Sequence, residues 1–92
     1  MIKLFRLISN EEIIAFCTQS EDGWTMENPT LIVPTEKGIG LMPMMPYSKL
    51  QTEKTFLKNS VIAFVTEPVS ELESKFKAIH IKVYVQENKI II

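Results

Sequence analysis

Turn chemistry interrupts the first two-thirds of this 92-residue chain again and again, and short β-forming runs lie between the interruptions. Ile2 to Ile8 is rich in large apolar residues. Ser9-Asn10-Glu11-Glu12 follows, where Ser and Asn bond to nearby backbone and Asn tolerates positive φ. Ile13 to Thr18 resumes as a strand, so the two runs form a hairpin. Its alternate sets, Ile13/Ala15/Cys17 and Ile14/Phe16/Thr18, are both largely apolar, which suits a barrel or a sheet covered on both faces. Glu21-Asp22-Gly23 is the next turn, with Gly23 free to adopt positive φ. Trp24 to Val33 follows, and Pro29, which cannot donate to a ladder, marks an edge, a bulge or a break. Pro34 to Gly38 turns the chain again. Ile39 to Met45 is apolar, but Pro43 and Pro46 prevent regular pairing across it, so a short strand ending in an extended, polyproline-like segment through Tyr47 is expected, and Ser48 to Lys54 is a loop. Thr55 to Thr66 is the clearest strand region, bent at Lys58-Asn59-Ser60.

Only one helix is well signalled. Pro68 precedes it, Ser70 stands as N-cap and Glu73 completes a capping box. Val69, Leu72, Phe76 and Ile79 form an apolar stripe, and Glu71–Lys75 and Glu73–Lys77 are favourably oriented pairs. The helix is expected over about 70–79 and a terminal strand over about 81–92, where Ile81, Val83 and Val85 alternate with Lys82, Tyr84 and Gln86. A free apolar strand ending in Ile90-Ile91-Ile92 would be an aggregation hazard, so it is expected to pair within the fold or with another subunit. The whole chain, 1–92, reads as a single domain, because a chain this short buries only roughly 60–65% of its unfolded surface in one modest core.

Composition narrows function mainly by exclusion. Charged residues are 23% and hydrophobic residues 46%, values of a globular chain rather than a disordered one. No apolar run reaches the length of a membrane span, and the N-terminus lacks the features of a signal peptide, so a cytoplasmic protein without a membrane partner is expected. The net charge of −1 argues against nucleic-acid binding by bulk charge, though a local basic rim remains compatible with it. Cys17 is the only cysteine and His80 the only histidine. Cys17 lies in an apolar strand and reads as inert core, and His80 lies at the expected helix end, where a cation complements the dipole. No phosphate loop, metal pair or calcium-type loop is present, and no cofactor and no enzymatic activity are expected. Leu41-Met42-Pro43-Met44-Met45-Pro46-Tyr47 is a soft apolar surface poor in backbone donors. Met42, Met44, Met45 and Tyr47 are therefore candidate subunit contacts beside their reading as core. Trp24 reads as core or interface first and as a base-stacking ring second.

Three segments resemble the Sm-like (LSM) family. Leu7 to Phe16, with its polar turn at Ser9-Asn10-Glu11, is similar to that family's opening hairpin. Asp22-Gly23-Trp24-Thr25-Met26-Glu27-Asn28 resembles its Asp-containing loop. Leu57-Lys58-Asn59-Ser60-Val61-Ile62-Ala63-Phe64-Val65 resembles its second motif, in which a turn separates the last two short strands. Leu41-Met42-Pro43 and Glu67-Pro68…Glu71-Leu72 are also similar to segments of small Sm-like proteins of marine phages. The resemblance covers about residues 2–66. It implies a mainly β fold, a strongly bent five-stranded antiparallel barrel, here followed by one short helix. It also implies a homo-oligomeric ring of six or seven subunits that binds single-stranded RNA near its pore. Carried over by position, the RNA-binding residues would be Trp24, Met26 and Asn28 in one loop and Lys58 and Asn59 in the other. Lys58 stands where the family carries arginine, and lysine lacks the planar guanidinium that stacks and forks hydrogen bonds. The rival expectation is a phage structural or protein-interaction module that binds no nucleic acid. A third is an enzyme built on Cys17 and His80.

Overall fold

A computed structural model describes residues 1–45, 47 and 54–91, and of 81–91 it describes the backbone alone. Six strands precede one helix: β1 (Ile2–Leu7), β2 (Glu12–Ser20), β3 (Gly23–Thr35), β4 (Gly38–Pro43), β5 (Thr55–Lys58), β6 (Ile62–Thr66) and α1 (Ser70–Ile91). All pairings are antiparallel and all belong to one sheet, ordered β4-β3-β2-β1-β6, with β5 also pairing β3. The resemblance implies five strands closed as a barrel; six are present, and among the described residues their ladders run open from β4 and β5 on one side to β6 on the other.

The extra strand arises because one strand position is split. β4 runs against the second half of β3, from Thr35↔Gly38 to Thr30↔Pro43, and β5 runs against the first half, from Met26↔Thr55 to Gly23↔Lys58. Pro43 ends β4 because proline brings no N–H to the ladder. The N–H of Met44 still donates to the carbonyl of Pro29 at 3.0 Å before the chain leaves the edge. On the far side of the excursion, Lys54 meets Glu27 at 3.2 Å. The short strand expected here thus ends at the first of the two prolines.

Turn residues behave as their chemistry dictates, with one exception. Asn10 takes φ 77, and the N–H groups of Leu7 and Asn10 donate to the carbonyls of Glu11 and Leu7, both at 2.9 Å. Gly38 has φ 133 and closes the β3–β4 hairpin. Gly23 is the exception, since it does not take positive φ. Its role is close approach. A Cβ there would sit 2.1 Å from the Leu57 carbonyl oxygen and 2.9 Å from Lys58 Cα, so glycine is what lets β5 cross beside β3.

Pro29 marks a bulge. Ile14 pairs Thr30 but Phe16 pairs Glu27, a shift of one residue, and Asn28 takes φ 53 to accommodate it. The shift exchanges the faces of β3, because side chains alternate with a period of two. Trp24 and Met26 then share a face with Leu31. They join Phe5, Ile13, Ala15 and Cys17 in one apolar cluster. Phe5 and Trp24 meet edge to face at 5.2 Å and 79°, worth about 0.5–1.5 kcal/mol beyond area burial. Leu57 of β5 and Ile62 of β6 pack on this same cluster from opposite sides of the sheet, so the sheet curls over it. The other face carries Ile2, Ile14, Leu4, Phe16, Ile32 and Leu41, and α1 covers it with Leu72 and Phe76. Both apolar sets of β2 are thereby satisfied.

The helix begins and ends differently from expectation. Its first bond runs from the Glu73 N–H to the Val69 carbonyl at 3.1 Å, which makes Val69 rather than Ser70 the residue flanking the first turn. Glu73 and Lys77 pair at 3.9 Å as expected. Val69 is exposed, so the working stripe starts at Leu72. The expected terminal strand is absent, since the backbone stays helical through Ile91. No glycine or proline follows Pro68, and a helix once nucleated extends at little further cost.

Gly23→Ala is expected to destabilise the protein by about 1–3 kcal/mol or more, because the added methyl meets backbone that cannot rotate away. Gly40→Ala meets only side-chain methyls of Thr35 and Val33 at 3.3 Å and should cost less. Urea unfolding followed by Trp24 fluorescence would separate the two. Equal stabilities would contradict the close approach of β5.

Candidate functional surface

Of the loop that the resemblance places at Asp22–Asn28, all but Asp22 is strand β3, and only the turn at its start meets the Lys58-Asn59 turn. Between β5 and β6, Asn59–Val61 forms a single 3-10 turn. The Asn59 N–H donates to the Asp22 carbonyl at 2.9 Å, and its Nδ2 donates to the Glu21 carbonyl at 3.2 Å. Asn59 thus ties this turn to the β2–β3 turn, while Lys58 and Asn59 both stay exposed. The corner holds one lysine together with the carboxylates of Glu21 and Asp22, so it offers little net attraction to phosphate.

The other three RNA candidates lie elsewhere. Trp24 is 5% exposed and Met26 is fully buried, both within the core cluster, so neither presents a face to a base. The burial follows from the bulge, which turns both inward. Asn28 is half-buried at the bulge itself, and its carbonyl accepts a hydrogen bond from Thr30 Oγ1 at 2.9 Å. It stands five residues beyond Gly23, roughly 16 Å along an extended strand from the Lys58 corner.

Cys17 and His80 are separated by the sheet. Cys17 faces the cluster containing Trp24, whereas His80 packs on Phe16 and Phe76 on the helix-covered face. Burial pushes the Cys17 thiol up from its ordinary pKa, with the N-terminal charge and Lys3 opposing more weakly. The pairing of these two as a nucleophile and base is therefore withdrawn. Among the described residues, no group of three or more His, Cys, Asp or Glu side chains is placed to hold a metal ion. No described helix is long and apolar enough to cross a membrane.

The exposed apolar surface gathers at the sheet margins. On β6, Phe64 is 69% exposed and Val65 is exposed beside it, with Ile8 and Val61 at the neighbouring turns. Leu4, Phe5, Arg6, Glu12, Phe64 and Val65 line an open groove of about 430 Å³ there. Arg6 and Glu12, paired at 2.6 Å, close one end of it with charge. At the opposite margin, Ile39 and Met42 of β4 are exposed, with Met45 and Tyr47 beyond. Of the four candidate contact residues, Met42, Met45 and Tyr47 are thus available, and Met44 is half-buried against the core. Sequence reasoning missed Phe64 and Val65, because an apolar run reads alike in a central strand and an edge strand. Consecutive exposed residues on β6 show that it is an edge.

Iodoacetamide should label Cys17 slowly in the native protein and rapidly once it is unfolded, since the thiol is both buried and held protonated. Native labelling at the rate of a free thiol would overturn this placement. No protein-family model matches the chain, and no curated protein matches it.

Proposed function

We propose that this chain is a non-enzymatic assembly module of Sm-like type, whose copies join edge to edge through β6 of one subunit and the β4 margin of the next. The carrying observation is the exposed apolar row on β6, centred on Phe64. Ile62-Ala63-Phe64-Val65-Thr66 contains no charge and no proline, the devices by which proteins keep an open edge from pairing. Such an edge is stable in solution when another strand covers it. The opposite margin supplies complementary chemistry in Ile39, Met42 and Met45. A contact between two different edges repeats head to tail, and it closes into a ring when the rotation per subunit permits. The strand order supports the small-barrel reading as well. β5 and β6, at opposite sides of the sheet, follow one another across the Asn59–Val61 turn and pack on one cluster.

The same surface favours protein contact over RNA. Trp24 and Met26 are core residues, and Lys58 shares its corner with two acidic residues, which leaves single-stranded RNA without a stacking platform among the candidates.

Light scattering of the whole chain over a range of concentrations tests the proposal. The expected result is a multimer whose mass is unchanged by a U-rich oligoribonucleotide. Phe64→Asp should weaken assembly by about 2 kcal/mol or more, as truncating a central apolar contact does. A wild-type monomer at every concentration would overturn the assembly. A multimer that takes up the oligoribonucleotide would return the function to RNA binding.

A further inference from the structure

The mid-helix histidine lies apart from β6, though its cavity shares Met42 with the β4 margin, and its surroundings are unusual for a titratable group. α1 extends eleven residues past His80, so the ring lies in the helix interior rather than at its end, and the dipole that would favour a cation there is absent. His80 meets Phe76 at 4.3 Å and 79° and Phe16 at 5.3 Å and 62°. Its Nε2 is buried with no hydrogen-bond partner among the described residues. A cavity of about 90 Å³ lies beside it, where Ile79 and His80 abut the Asn28–Pro29 bulge and β4. A neutral imidazole fits this place with its proton on Nδ1. An imidazolium would put an N–H at Nε2 with no acceptor among the described residues.

We propose that His80 is a proton-controlled latch: the Leu72–His80 part of α1 stays packed on the sheet while the ring is neutral, and it lifts from the sheet when the ring takes up a proton. Among the described side chains, few charges bear on it. From α1, Lys77 lies one turn back and opposes a second cation, and Glu73 is engaged with Lys77. From β2 the ring meets Phe16. From β3, Glu27 is the cross-strand neighbour of Phe16 and is engaged by Lys54 at 3.2 Å. From β4, Leu41 to Pro43 carry no charge. Burial lowers the affinity of the ring for a proton below its ordinary value of 6.5. The sign follows. Above that value both folded and unfolded rings are neutral and α1 is fully held. As pH falls through 6.5 toward the folded value, the released state binds the proton first, and the hold on α1 weakens. Among the described side chains of α1, Leu72 and Phe76 are the buried anchors and Ile79 is half-buried, so the ring is a sizeable part of the described contact.

A single histidine makes the test direct. Proton NMR of the whole chain would follow the His80 ring, amide exchange corrected for intrinsic rate would follow residues 72–80, and Trp24 fluorescence would report the opposite face. The latch predicts that the ring titrates below 6.5 and that helix protection falls at least tenfold between 6.5 and the ring's own midpoint, levelling off below it. Trp24 emission should stay unchanged. His80→Phe and His80→Gln should each remove the acid step, and whichever folds with native Trp24 emission serves. A ring titrating at or above 6.5, protection constant through the titration, or a step that persists in the variant would overturn the latch. Loss of Trp24 emission together with helix protection would also overturn it, as global unfolding. The latch does not depend on assembly, and the measurement is made at a concentration where mass does not vary with pH.

Discussion

The register shift where β3 passes Asn28 and Pro29 decides which side chains meet which core. Before it, Trp24 and Met26 point toward Phe5 and Ile13, and after it Leu31 takes up the same face. A regular strand would keep one parity throughout, and a large apolar side chain from one half would be left on the wrong side. The bulge also coincides with the departure of the chain from the β3 edge after Met44, so the strand position split between β4 and β5 is interrupted where β3 is irregular. The consequence is a curled sheet with one cluster inside the curl and a second beneath α1. Gly23 completes the arrangement by admitting the backbone of β5.

Once both faces of the central strands are covered, the surplus apolar surface falls on the margins. β6 leaves Phe64 and Val65 exposed, and β4 leaves Ile39 and Met42 exposed. A chain of 92 residues has little core to spare, and apolar groups kept at an uncharged edge are more readily understood as contact surface than as idle exposure. The helix side follows a different logic. There the described contact rests on Leu72 and Phe76, beside a ring that fits best without charge.

Much of the local structure was legible because single residues carried it. Asn10 announced a turn needing positive φ, Lys58-Asn59-Ser60 announced the break between two strands, and the Pro68–Glu73 signal located the helix start to within a residue. What was not legible depended on partners distant in sequence. Gly23 reads as a turn glycine until Leu57 is beside it. Trp24 reads as core first but leaves a stacking ring open until the bulge fixes its side. Alternation in 81–85 suggested a strand, yet the helix already nucleated upstream carried through it. The apolar run of β6 gave no sign of being an edge, and the functional surface was therefore the least readable part of the sequence.

The central claim is that β6 is an edge kept for another copy of the chain. Amide exchange across Ile62–Thr66, measured at increasing protein concentration, tests it most directly, because a strand joined on one side only leaves its outward amides to solvent. The account predicts that these amides become protected as concentration rises, while those of β2, already paired on both sides, do not change. Outward amides of β6 that exchange rapidly at every concentration would contradict it.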